Sequence, residues 1–98
     1  MEIERYLLDK GIKPHFKGFE YLTYAIEMCQ KDKTYFNGMT TRLYPDIATD
    51  LKTLRSRVER DMRHAVKKAG HNQTLAEFIA RAVLDLRLNK SVKRKAKA

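Results

Sequence analysis

KTLRSRVERDMRHAVKKAG, residues Lys52–Gly70, carries two patterns at once. Leu54, Val58, Met62, Ala65, Val66 and Ala69 recur at the three-and-four spacing of an amphipathic helix, with Thr53 placed as its N-cap and Gly70 as its C-terminal stop. At about 100° per residue, Ser56, Glu59, Arg60, Arg63, His64 and Lys67 fall on the opposite side, a surface able to bond base edges and phosphates. An ordinary solvated face is also charged, and Glu59 with Arg63 and Arg57 with Asp61 can pair along the helix. The preceding segment tips the reading toward recognition. Tyr44–Leu51 forms a short helix with Pro45 in its first turn, Asp46 near the positive end of its dipole, and Ile47, Ala48 and Leu51 facing inward. Small Ala48, with Val58 ten positions later, lets two helices cross closely, as in a helix-turn-helix. Lys52 and Thr53 stand where the turn of that motif often has glycine.

The 98 residues suffice for one domain, and 43% apolar content supplies a single modest core. Twenty-one Lys and Arg against twelve Asp and Glu give a net charge of +9 and a pI of about 9.9, which favours a polyanionic partner. Five of those net charges (Lys90, Lys93, Arg94, Lys95, Lys97) lie in the final segment, so the body is basic but less so than the total. A single cysteine, Cys29, excludes an internal disulfide, and no N-terminal apolar run suggests a signal peptide or a membrane span. The expected location is the cytoplasm. Scarce glycine and proline with abundant helix formers predict an all-α fold, a compact helical bundle containing a helix-turn-helix.

Working outward, Ile3–Asp9 makes a short helix with Ile3, Tyr6 and Leu7 on one side, and Gly11–Gly18 a structured loop. Phe19–Lys31 is the central core helix, with Phe19, Leu22, Ala25, Ile26 and Cys29 in one stripe. Asp32–Gly38 connects to a helical turn at Met39–Leu43. Thr74 and Glu77 form a capping box that starts a last helix ending near Leu88, packed through Leu75, Phe78, Ile79, Ala82, Val83 and Leu86. A second apolar row, Ala76, Ala80 and Leu84, widens its arc and suits either deep burial or a subunit interface. Residues 1–88 are thus read as the domain and 89–98 as a basic, disordered tail.

No catalytic constellation assembles from these residues. His15, His64, His71 and Cys29 lack metal-ligand spacing, and neither a glycine-rich phosphate loop nor a nucleophile motif is present. The reading calls for no enzyme activity, no cofactor and no metal. Tyr21, Tyr24, Tyr35 and Tyr44 could stack on single-stranded bases, but their helical placement favours the core or its edge.

Several separate blocks in order, GIKPHFKGFEYLTYAI (Gly11–Ile26), LYPDIA (Leu43–Ala48), SRVER (Ser56–Arg60), RHA (Arg63–Ala65), EFIA (Glu77–Ala80) and LRL (Leu86–Leu88), resemble the DNA-binding effector domain of the master sporulation response regulator of endospore-forming bacteria. The resemblance covers most of Ile3–Leu88. It implies an all-helical domain that binds short operator boxes, often in tandem, with DNA contacts at Glu59, Arg60, Arg63 and His64 and with Ser56 and Arg57 nearby. Family regulators carry a receiver domain and usually an additional helix before the last one; this sequence starts almost at the effector domain and has only Gly70–Gln73 in that gap.

Together these readings predict a transcriptional regulator, without its own receiver domain, that inserts the helix of residues 54–69 into the major groove of double-stranded DNA. Ser56, Glu59, Arg60, Arg63 and His64 are expected at base edges, and Lys52, Arg55, Arg57, Lys67, Lys68, Lys93, Arg94 and Lys95 at phosphates. RNA polymerase and a second copy on tandem sites are the further partners, and a membrane is not one. A second class of function is a protein-interaction module or decoy that pairs with a full-length regulator or polymerase and blocks it. Non-specific nucleic-acid packaging, which the tail alone could serve, is a third.

Overall fold

Backbone-to-backbone contact between two helices sets the architecture, and Gly18 permits it. The computed structural model describes the backbone of residues 2–97 and the side chains of residues 2–89. Helix α2, Lys17–Lys31, passes α4, Arg55–Lys68, so closely that a Cβ on Gly18 would collide with the Asp61 carbonyl oxygen and lie 2.8 Å from Ala65 Cβ. The loop that Pro14 and the two glycines predict over Gly11–Gly18 thus ends earlier, and Gly18 is a helical residue of α2. Helices α1, Glu2–Asp9, α3, Tyr44–Asp50, and α5, Leu75–Lys97, also pack on α2, which makes it the centre of an all-α bundle. The described residues contain no strand. Leu22, Ala25, Ile26 and Cys29 of α2 are fully buried, against Val58, Met62 and Ala65 of α4 and Ile79 and Ala82 of α5. Cys29 is a small core hydrophobe, and burial pushes its thiol up to about 11.

The connection from α2 to α3 is itself helical. A 3₁₀ turn, Lys33–Asn37, capped by the Asp32 carboxylate on the Thr34 N–H, leads into a π-helical turn, Met39–Leu43. Tyr35 and Tyr24 donate from their hydroxyls to Asp46 at 2.6 Å and Asp50 at 3.0 Å, pinning the outer side of α3. These are the core-edge roles expected of the tyrosines, while Tyr21 and Tyr44 are buried.

Two helix ends use the same device with different residues. After α4, Gly70 takes φ +89°, and the N–H groups of Gly70 and His71 bond the carbonyls of Lys67 and Val66. After α3, Lys52 takes φ +55°, and the N–H groups of Lys52 and Thr53 bond the carbonyls of Thr49 and Ala48 at 3.3 and 2.9 Å. Both are Schellman caps, so the turn between α3 and α4 is built with lysine in the left-handed position that favours glycine.

That cap consumes Thr53 and displaces two expectations. Leu54, not Thr53, is the N-cap of α4: its backbone is extended at φ −98°, ψ 142°, and its carbonyl accepts from the Arg57 and Val58 N–H groups. Leu54 is also 65% exposed and does not belong to the core stripe. An N-cap residue has non-helical dihedrals, so helical spacing does not predict where its side chain goes.

Helix α5 starts at the predicted capping box, with the Thr74 N–H donating to Glu77 at 2.9 Å and the Glu77 N–H to the Thr74 hydroxyl at 3.2 Å. It continues to Lys97, beyond the end near Leu88 that the apolar pattern marks. Apolar spacing reports where packing ends, and no glycine or proline follows to stop the backbone. Its second row, Ala76, Ala80 and Leu84, is exposed, which excludes the deep-burial reading. Tyr6 of α1 donates to Asp85 at 2.8 Å, and Arg81 reaches the same carboxylate at 2.9 Å.

Candidate nucleic-acid interface

Helix α4 divides cleanly between inside and outside. Val58, Met62, Ala65 and Val66 are buried, while Arg55, Ser56, Arg57, Arg60, Arg63, His64, Lys67 and Lys68 are exposed. Glu59 is half-buried among them. The structure thus gathers all five expected base-contacting residues, Ser56, Glu59, Arg60, Arg63 and His64, on one helix, with the expected phosphate contacts Arg55 and Arg57 at its start and Lys67 and Lys68 at its end. Lys52, in the turn, is exposed as well. Lys93, Arg94 and Lys95 have side chains outside the described residues.

The charge order along α4 runs against helix stability at one end. Lys67 and Lys68 sit favourably in the last turn, but the first turn holds no acid and instead carries Arg55 and Arg57 at the positive end of the dipole. Cations placed there repel the helix and attract an external anion.

Within the face, Arg63 donates to Glu59 at 2.6 Å as an i,i+4 pair, whereas Arg60 makes only a 3.5 Å contact with Asp61 and its side chain is 71% exposed. Arg60 is the freer group; Arg63 is held at a set angle by its partner. Tyr44 is buried near this pair, its phenol pushed up to about 12 by burial, with the Glu59 charge adding and Arg63 opposing. His64 lies against Phe16, ring centres 5.4 Å apart, and His15 meets the edge of the same phenyl at 4.8 Å.

The loop before α2 is therefore a neighbour of the face, a feature sequence spacing gives no sign of. Exposed Lys13 and Lys17 flank that loop. On the other flank, Glu59, Arg63 and Lys67 line a groove of about 470 Å³ closed by Met39 and Thr40 of the π-helical turn and by Asn72, Gln73 and Thr74. The short Gly70–Gln73 link thus forms a polar wall beside Arg63. Asn72 and Gln73 follow α4 closely in the chain, whereas Thr40 is brought beside it only by the fold.

No group of three His, Cys, Asp or Glu side chains able to hold a metal occurs among the described residues, and His64 and His71 are used in ring contacts, His71 with Phe78. No described helix is long and apolar enough to cross a membrane. The surface that remains offers bidentate donors, a carboxylate acceptor and flanking cations, the groups that base edges and phosphates require.

Residues 3–94 match the family described as "Sporulation initiation factor Spo0A C terminal", a DNA-binding regulatory family. The matched span runs from within α1 to within α5 and takes in the whole exposed face of α4. An all-α bundle and a match over nearly its full length agree, and the chain belongs to the Spo0A C-terminal DNA-binding domain family.

Proposed function

We propose that this protein is a sequence-specific regulator of transcription that lays α4 in the major groove of double-stranded DNA, acts in the cytoplasm, and recognises its site without a cofactor. The observation that carries this reading is the first turn of α4, where Arg55 and Arg57 stand at the positive dipole end with no acid to offset them. Such an arrangement costs the free protein stability and is repaid by an anion. Arg60 and Arg63 then read guanines, Glu59 accepts from a cytosine amino group, and Ser56 and His64 complete the base contacts. Lys52, Arg55, Arg57, Lys67, Lys68 and the tail cations Lys93, Arg94 and Lys95 hold phosphates.

The test is selection from a random duplex library by the 98-residue chain with no receiver domain attached, followed by titration of the selected and a scrambled duplex. Selection of a defined sequence is expected. Equal binding to both duplexes would leave only non-specific packaging.

A second partner is supported by α5. Exposed Ala76, Ala80, Leu84 and Leu88 recur every four residues and form an apolar strip outside the core. We propose that a second copy covers it when two sites lie in tandem; RNA polymerase is the alternative occupant, and a decoy that blocks a full-length regulator would use the same strip.

A further inference from the structure

Leu54 breaks two local rules at one position. It is the N-cap of α4, where serine, threonine, aspartate or asparagine would bond the free N–H groups of the first turn, and it makes no side-chain cap. It is also 65% exposed, more than Leu8, Leu84 or Leu88, the other exposed large apolar side chains among the described residues. A single surface leucine needs no explanation by itself. A leucine that surrenders a cap bond, at the end of the helix proposed to enter DNA and flanked in the chain by exposed Lys52, Arg55, Ser56 and Arg57, does.

In a helix-turn-helix the N-terminal residues of the second helix meet the base edges. The extended backbone of Leu54 takes its side chain off the helical wheel and ahead of the first turn. The exposed residues beside it in the chain, Lys52, Arg55, Ser56 and Arg57, all carry hydrogen-bonding or charged groups, suited to polar base edges and phosphates. The major-groove feature they cannot read is the C5-methyl group of thymine, which calls for an apolar contact.

We propose that Leu54 is a specificity-determining residue that seats against a thymine methyl group. This rests on the reading of α4 as the groove-entering helix. Burial of one methyl-sized group corresponds to roughly a fourfold change in affinity.

The experiment uses the duplex selected by the full wild-type chain, with each thymine replaced in turn by deoxyuridine, which removes only the methyl group. At one thymine the replacement should weaken wild-type binding by roughly fourfold. Leu54→Ala, melting as wild type does, should bind the thymine duplex correspondingly less well and be indifferent to deoxyuridine at that position, whereas Arg60→Ala should keep the sensitivity. Wild-type binding unmoved by deoxyuridine everywhere, or an unchanged deoxyuridine profile in Leu54→Ala, would overturn the assignment while leaving the groove reading in place. Failure of the wild type to select any duplex would instead remove the groove reading itself.

Discussion

Arg60 and Arg63 occupy the same face but are prepared differently. The Arg60 side chain is 71% exposed and holds only a 3.5 Å surface contact with Asp61, so Arg60→Ala should leave the melting temperature nearly unchanged and lower affinity for the selected duplex by about 1–3 kcal/mol. Arg63 must share its guanidinium with Glu59, so Arg63→Ala should show a comparable affinity loss together with a stability loss of about 0.3–0.5 kcal/mol from the broken helical pair. Val58, fully buried beneath them, is the control: Val58→Asp should unfold the domain, because an unpaired carboxylate enters the core. At Asp85, burial works against ionisation, but the hydrogen bonds from Tyr6 and Arg81 outweigh it and hold the carboxyl below its usual range. A carboxyl depressed on folding contributes fully above its unfolded pKa of about 4, and that contribution is lost as pH falls through the lower folded value. Asp85→Asn and Tyr6→Phe should each cost about 1 kcal/mol at neutral pH, and in melting curves the difference from wild type should shrink as pH falls below the unfolded carboxyl's value of about 4.

At the scale of elements, the helices were legible because apolar spacing and capping chemistry agree: the Thr74 and Glu77 box starts α5 where it was expected, and Gly70 ends α4. The turn between α3 and α4 was legible only in outline. Its missing glycine is replaced by a lysine that pays the left-handed strain itself, and nothing in the identity of Lys52 announces that conformation. The face of α4 could be read from the wheel, but Leu54 could not, since its dihedrals are not helical. Gly18 escaped for a different reason: glycine beside a proline-containing loop reads as loop, and only the approach of α4 reveals its place. Two substitutions follow. Lys52→Gly should stabilise the fold by up to about 1 kcal/mol in urea unfolding while lowering the salt slope of DNA binding by about one phosphate contact. Gly18→Ala should destabilise by about 3 kcal/mol, because the new methyl group meets backbone that cannot move aside.

For the whole molecule, the exposure of Leu84 turns an ambiguous apolar row into a surface. Leu84 is 38% exposed, so Leu84→Glu should leave single-site binding and melting nearly unchanged and reduce cooperative filling of a double site. A sharp fall in melting temperature would argue against that placement. The tail contributes differently: removal of Lys90–Ala98 takes away five positive charges, and it should weaken all duplexes alike and flatten the salt dependence without changing the preferred sequence. The most direct test of the account is the affinity of wild type and Arg60→Ala for the selected duplex and a scrambled one, measured at one salt concentration beside their melting curves. The account predicts equal melting, a wild-type preference for the selected duplex, and a preference reduced roughly fivefold or more in Arg60→Ala. Wild type and Arg60→Ala with the same preference, or no preference in either, would contradict recognition of DNA by α4.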